Sequence, residues 1–463
     1  MMALHLALIA PEHFSVAPMM KHTNRHYHTF FRFFSQNAHL YTEMIPSETI
    51  VNLYNSNKEI ESNEALQELL RINAATNNAN KKNTTGPIIL QLGGRDPQTL
   101  ALASEIGVRM GYNGINLNCG CPSNAVSERN SGCALMRDPS HVAECVERMS
   151  ESIANAAKNV NEDVELSVKH RLGVRDASTY DAEHDQQQTD DEAYQECEAF
   201  IRTITANSNV RKLQVHARLG LLGYFTPERT EPLWTPDSSE QEKRLLGGTI
   251  QMDHKREREQ NKAIKLARKT TIQNRSVPPL RPSVVNRLSE DFPHLDFVTN
   301  GGIKSTEDIH HRVNETNVMG AMVGRSVINH PCSFSHVDGL WGDTLPKWTR
   351  EDVILAHIQY CKEEEERCKD QSDKFRTALR KKLVAVPFSL FAGEDGNNAY
   401  QRTIRKLGNK PGRHIASTIL QGALAHVPLE VRAKPITEFS SLDSIQTYSE
   451  YIQRSGPLQR AVL

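Results

Sequence analysis

The sequence predicts an α/β fold, a (β/α)8 TIM barrel followed by a small all-α C-terminal region. Eight short β-prone runs follow one another in order, and segments with helical periodicity lie between most of them. Nearly every run also ends in residues that do chemistry. Strands alternating with helices imply a parallel sheet, and in a closed barrel the carboxyl ends of all its strands meet at one face. A doubly wound open sheet is the competing arrangement, but the first run lacks the Gly-x-Gly-x-x-Gly turn of that fold.

The runs span residues 14–19, 40–45, 88–94, 114–120, 164–173, 210–219, 296–303 and 320–328. In order they carry Pro18 and Met19 (with Met20 just beyond), Glu43, Gln91, Asn118 with Cys121 just beyond, Lys169 with Arg171, His216 with Arg218, Asn300-Gly301-Gly302, and Gly324-Arg325. Residues 97–110 follow an Asp and place Leu100, Ala103, Ile106 and Met110 on one face of a helix. Three segments read as insertions: Asn-rich 74–85, Gln/Asp-rich 178–191, and a charged stretch of about 233–275 with a short helix at 255–269. After Trp348 the pattern is helical to about residue 430. The expected division is therefore a barrel over 1–347 and a helical region with a tail over 348–463.

The chain has 463 residues, a net charge of −1, 38% hydrophobic and 24% charged residues, as a soluble globular protein does. No apolar run approaches the roughly 20 residues of a spanning helix. The short apolar stretch at 1–10 has no basic flank and leads into the first strand, so the cytoplasm is expected, with an organelle left open. The eight cysteines form no CxxC pair. Cys119, Cys121 and Cys133 lack a second close pair to complete a zinc site, so reduced thiols and no metal are expected. The charge is uneven. Residues 372–413 hold Lys374, Arg376, Arg380, Lys381, Lys382, Arg402, Arg405, Lys406, Lys410 and Arg413 against Asp373, Glu394 and Asp395. Arg376 with Arg380, and Arg402 with Lys406, lie one turn apart and make either stripes facing phosphates or solvated helix faces.

The fourth run, Gly114-Ile-Asn-Leu-Asn-Cys-Gly-Cys-Pro-Ser123, ends an apolar strand in two thiols at a loop. A cysteine held there can act as nucleophile, metal ligand or proton donor. Asn300-Gly301-Gly302-Ile303 before a Ser-Thr-Glu-Asp helix start, with Gly324-Arg325 after the next strand, stands where barrels bind phosphate. The alternative is two turn glycines and a surface arginine. Lys169 and Arg171 share a strand face, and a lysine there suits the N1 end of a reduced flavin. Otherwise it forms an ion pair with Glu43 or Asp176. His216 and Gln91 suit a cofactor's phosphate and ring edge, or plain barrel packing.

Together these motifs resemble the flavin-dependent tRNA-dihydrouridine synthases. The resemblance rests on Ala-Pro-Met19, Tyr41-Thr-Glu-Met44, Gln91-Leu-Gly-Gly94, Asn116-Leu-Asn-Cys-Gly-Cys-Pro-Ser123, Val168-Lys-His-Arg-Leu-Gly173, Val215-His-Ala-Arg218, Asn300-Gly-Gly-Ile303 and Val323-Gly-Arg325. Thr42-Glu43-Met44, His216-Ala-Arg218 and Asp291-Phe-Pro-His-Leu295 point to the DusA-type branch. The resemblance implies FMN in the barrel, NADPH as reductant, and a D-loop uridine of tRNA, position 20 or 20a, flipped onto the flavin. It implies Cys121 as the proton donor. It also implies cofactor contacts at Pro18, Met19, Met20, Gln91, Lys169, His216, Asn300, Gly301, Gly302, Gly324 and Arg325. Asn118, Arg171 and Arg218 fall to the substrate base, and Arg402 and Arg405 to the RNA. The basic helices become the tRNA-binding part of a chain expected to be a monomer without membrane contact.

The chemistry fits the residue types. Reduction of the uracil C5–C6 bond needs a hydride at C6, which a reduced flavin delivers, and a proton at C5. A thiol of pKa about 8.5 is mostly protonated at neutral pH. The chain departs from the family pattern at His22 and Asn24, at Ser131-Gly-Cys-Ala-Leu-Met136 and at Leu219. Two other functions fit the barrel: FMN-dependent reduction of a small molecule, which needs no basic helices, and non-catalytic RNA binding, which needs no Cys121.

Overall fold

Burial on both faces, the condition that produces short apolar runs, is met by all eight barrel strands. They are β1 (Phe14–Val16), β2 (His39–Tyr41), β3 (Ile88–Gly93), β4 (Gly114–Cys119), β5 (Glu165–Arg171), β6 (Lys212–His216), β7 (Asp296–Asn300) and β8 (Gly320–Val323). Each pairs in parallel with the next, and β8 pairs with β1, so the sheet closes and has no open edge. The structure is a computed structural model, and it describes residues 12–73, 86–160, 163–181, 190–223, 274, 278–408 and 415–438. The insertion at 74–85, residues 182–189 of the one at 178–191, most of the charged stretch including 255–269, Lys410, Arg413 and the tail beyond 438 lie outside the described residues, and Asp190 and Asp191 already belong to a helix.

Most strands stop earlier than their apolar runs. β1 ends before Pro18, which has no N–H to donate. Strand β2 breaks after Tyr41, and Ile45–Pro46 rejoins the sheet beside β3. The run at 320–328 is not one strand: after β8 it turns into helix at Arg325. Just beyond the fifth and sixth runs the chain has left the barrel wall: Val174–Asp176 pairs with Gly220–Leu222 in a separate two-stranded sheet. These departures build the mouth, because a strand that remained in the wall could not turn its backbone toward a ligand.

The helices are α1 (Arg25–Phe31), α2 (Ser47–Asn57), α3 (Glu64–Leu70), α4 (Pro97–Arg109), α5 (Pro139–Val160), α6 (Asp190–Thr205), α7 (Pro282–Asp291), α8 (Thr306–Asn314) and α9 (Arg325–Asn329). Asp96 caps α4 by accepting the Thr99 N–H, with Pro97 at the first helical position. Five more follow: α10 (Arg350–Arg367), α11 (Asp373–Ala385), α12 (Asn397–Gly408), α13 (Ala416–Leu424) and α14 (Leu429–Ala433). Thr349 and Asp352 form a reciprocal capping box that starts α10.

Two large apolar clusters fill the molecule. One packs β3–β6 against α4–α7; the other joins β1, α1 and β8 to α10–α14. The C-terminal helices thus share a core with one side of the barrel. A ring of four charges reinforces that contact. Arg25 lies 2.8 Å from both Glu68 and Glu364, and Arg367 lies 3.0 Å from Glu68 and 2.9 Å from Glu364. Burial favours the neutral acid at Glu364, but Arg367 and Arg25 outweigh it and hold its pKa down to about 2. No helix among the described residues is long and apolar enough to cross a membrane.

Candidate active site at the barrel mouth

Strand β4 alternates its side chains, so Asn116 and Asn118 point to one face and Cys119 to the other. Inside the barrel the amides form a chain. Asn116 donates to Gln214 (2.9 Å) and Ser167 (2.9 Å), Gln91 donates to Asn116 (2.7 Å), and Asn118 donates to Gln91 (2.9 Å). At the top, the Asn118 carbonyl oxygen accepts the backbone N–H groups of Gly120 (3.0 Å) and Cys121 (2.9 Å). This fixes the active loop from below. Each amide has two N–H donors, so Gln91 and Asn118 each keep one for a ligand.

Cys121 is half-buried, and its carbonyl accepts the Cys133 N–H at 2.9 Å. Gly132 makes that contact feasible: its φ is +63°, and a Cβ there would stand 2.7 Å from the Cys121 oxygen. Burial raises the Cys121 pKa, with the Ser123 backbone, Arg171 and Lys169 opposing, so the thiol keeps its proton at neutral pH. Cys119 is fully buried in the core and serves packing.

Lys169 is half-buried and donates to Asn300 Oδ1 at 3.0 Å, while Asn300 donates to the Met322 carbonyl at 2.7 Å. The ion pairs considered from sequence do not form. Asp176 binds Arg137 at 2.6 Å, and Glu43 accepts the Lys21 backbone N–H. Loss of hydration, then the nearby Arg171, push the Lys169 pKa down to about 7. Arg171 donates to the carbonyls of Gly120 (2.9 Å) and Leu219 (2.8 Å), tying the β4 and β6 loops together. A guanidinium carries five N–H donors, so others remain for a ligand. Arg218 is half-buried and donates to the Pro278 carbonyl. Burial and then Arg171 lower its pKa.

On the far side of the mouth, Gly301 (φ +117°) and Gly302 (φ +73°) occupy conformations that favour glycine. A Cβ on Gly301 would come within 2.8 Å of Leu280 and 3.0 Å of His216, and one on Gly302 within 2.5 Å of Leu280. Gly324 begins α9, with Met19 Sδ as the nearest neighbour of an added Cβ at 4.0 Å, and Arg325 is exposed at the first helical position. Pro18, Met19 and His216 are half-buried, whereas Met20 is 57% exposed and turns to a neighbouring cavity. Arg402 and Arg405 are exposed on α12, outside the mouth. Arg380 is buried, which corrects the sequence reading of an Arg376–Arg380 stripe facing outward. Among the described residues no cluster of His, Cys, Asp and Glu is arranged to hold a metal.

The donor set suits an anionic, planar cofactor such as a flavin mononucleotide. It offers a glycine cradle that side chains would fill, an arginine at its rim, and a lysine whose charge burial disfavours until an anion arrives. Sequence reading missed Asn116 and Gln214, although two polar residues on one face of an apolar strand are a usable signal. It also missed Leu280, which covers the glycine cradle and has no local signature.

The family model for dihydrouridine synthases (Dus) matches residues 15–233 and 254–410. A tRNA-dihydrouridine(20/20a) synthase of Synechocystis sp. is 30% identical, covering 88% of this chain and 93% of the relative. Proteins of the same name from Vibrio parahaemolyticus and Pseudomonas putida are 26% and 28% identical. They cover 90% and 75% of this chain and 97% and 79% of their own lengths.

Proposed function

The chain belongs to the dihydrouridine synthase family, and from that premise we propose that it reduces the C5–C6 bond of a tRNA D-loop uridine, at position 20 or 20a. FMN is the cofactor and NADPH the reductant. The observation that carries this reading is Cys121, a protonated thiol on a loop clamped by Asn118 and Arg171, facing a mouth rich in cations.

Bound FMN supplies the hydride for C6. Gly301, Gly302 and Gly324 would hold its phosphate, with Arg325 as a charged fork. Pro18, Met19, Met20, Gln91, His216 and Asn300 would border the flavin, and Lys169 would supply positive charge to it. Asn118, Arg171 and Arg218 orient the everted uracil through their remaining N–H donors, which offsets part of the few kcal/mol that unstacking costs. Cys121 Sγ then gives its proton to C5. Arg402 and Arg405 bind backbone phosphates. One chain holds every assigned residue, so a monomer suffices, in the cytoplasm or wherever its tRNA resides.

The test is to incubate purified protein, FMN and NADPH with unmodified tRNA and map dihydrouridine along the strand. Product at position 20 or 20a is expected. A protein that cannot take up FMN, or one that reduces a free pyrimidine or enone but no tRNA, overturns the reading.

A further inference from the structure

A cavity of about 490 Å³ opens between the β1–β2 side of the barrel and helix α11. Of the residues assigned above to cofactor or uracil, only Met20 lines it, and Lys382 of the basic stretch stands at its edge. Its walls are largely apolar, with Met44, Leu53, Leu69, Ile72, Phe375 and Leu379 among them. Met20 and Leu69 leave 57% and 36% of their surfaces exposed. An apolar hollow with a few placed polar groups is the usual form of a ligand site.

The charges around the hollow divide into two sets. Arg25 and Glu68 line it but are engaged in the four-membered ring with Glu364 and Arg367. Glu43, Arg71 and Lys382 also line it and stand outside that ring. Glu43 accepts the Lys21 N–H and, as a carboxylate, has acceptor capacity left. Lys382 continues along α11 into the exposed Lys374, Arg376 and Lys381. An aromatic side chain among apolar walls, with cations along the rim, is how single-stranded nucleic acid is gripped.

We propose that this cavity takes a second nucleobase of the tRNA, one that is unstacked but not reduced and that carries an exocyclic amino group. The inference rests on the tRNA reading above. Phe375 offers the stacking face, Glu43 accepts the amino N–H, and Lys382 and Arg71 meet the flanking phosphates. An acceptor-only group can take the exocyclic amino N–H of cytosine, adenine or guanine, whereas uracil offers it only the N3–H between two carbonyls. The volume, about 490 Å³, suits a nucleoside. The cavity thus anchors the RNA on one side of Met20 while the target uridine enters the mouth on the other.

Ala378 is exposed on α11 and lines the cavity, so Ala378→Trp fills it from the rim. The expected result is a KM for tRNA raised about tenfold, the scale of one stacked base. kcat at saturating tRNA, the flavin spectrum and NADPH oxidation without tRNA stay unchanged. Phe375→Ser, which removes the stacking ring without overfilling, gives the same pattern. Among tRNAs made abasic at single positions, one loses about tenfold with the wild-type protein and nothing further with Ala378→Trp. An unchanged KM in both variants, or no such position, overturns the proposal. Slower NADPH-driven flavin reduction would assign the cavity to the reductant instead. Wild-type protein that makes no dihydrouridine fails the functional reading itself, and that result is read before any variant is compared.

Discussion

The floor and the mouth of the barrel each hold a lysine, on neighbouring strands, and the two behave oppositely. At the floor, Lys212 lies 2.6 Å from Glu165 and 3.9 Å from Glu12. Glu12, fully buried, accepts from Tyr41 (2.8 Å) and Gln214 (3.1 Å). Burial opposes charge on Lys212, yet Glu12 and Glu165 hold its pKa above the ordinary value. In the β5–β6 register, Lys169 sits two residues nearer the mouth than Ser167, the partner of Lys212. Among the described residues no carboxylate pairs with Lys169, Arg171 or Arg218, and all three have lowered pKa values. Charge balanced within the protein holds the barrel together, whereas charge left unbalanced at the mouth attracts an anion from outside.

The largest expected effect tests the mouth. Cys121→Ala lowers turnover by about 10²–10⁴-fold, the range for a positioned acid, and leaves flavin content, tRNA affinity and melting temperature unchanged. Single-turnover assays with pre-reduced flavin measure it. Comparable turnover in this variant would remove Cys121 from its role. The counterpart at the floor is Lys212→Met, which takes the cation from Glu165 at 2.6 Å and from the buried Glu12, whose own pKa burial raises even with Lys212 present. Urea unfolding should show a loss of about 3–5 kcal/mol, with activity per folded molecule retained. A loss of activity without a loss of stability would erase the distinction between floor and mouth.

Lys169→Met sharpens the contrast, because removing an unbalanced cation should raise the stability of the flavin-free protein by on the order of 1 kcal/mol or more while abolishing flavin retention. The pH dependence follows from the same group. Its pKa falls from 10.5 to about 7 in the ligand-free fold, so the unfolded chain binds the proton more readily. Stability of the flavin-free protein therefore rises with pH between about 7 and 10.5 through this residue. An anionic cofactor favours the protonated lysine, so binding takes up a proton above pH 7. Flavin affinity should then fall with rising pH by at most about tenfold per unit. Fluorescence titrations from pH 6.5 to 9 check this, and a flat profile would mean Lys169 does not meet the anion.

How much of this was legible in the sequence depended on the range of the interactions. Strands buried on both faces announce themselves as apolar runs, and the Asp96 cap with the 97–110 periodicity gave α4 almost to the residue. The partner of Lys169 was not legible, because Asp176 lies beyond the point where the chain leaves the barrel and there meets Arg137. Arg380 misled for a related reason. Spacing places it in line with Arg376, but on α11 it sits beside Leu379, Leu383 and Val384, which face the core. Helical periodicity orders the faces of a helix without saying which one is covered.

The comparison extends to the helical region, where Arg350 is buried and paired with Glu394 at 3.1 Å while Arg402 is exposed. Helix α12 buries Tyr400, Ile404 and Gly408 and turns Arg402, Arg405 and Lys406 outward. Arg405 lies 4.9 Å from the centre of the Phe388 ring, which limits its freedom without neutralising it. Reversing both charges, Arg402→Glu with Arg405→Glu, should weaken tRNA binding about tenfold at low salt and reduce the slope of log affinity against log salt by roughly one to two. Filter binding across a salt series measures both. Turnover at saturating tRNA and flavin content should hold, since neither arginine reaches the mouth. Replacing Arg350 would instead destabilise the region, because Glu394 would lose one of its two cations and keep Lys434 at 2.7 Å. Unchanged affinity and slope in the double variant would move the RNA off α12 and leave the basic residues of α11, with the cavity beneath them, as the surface that holds it.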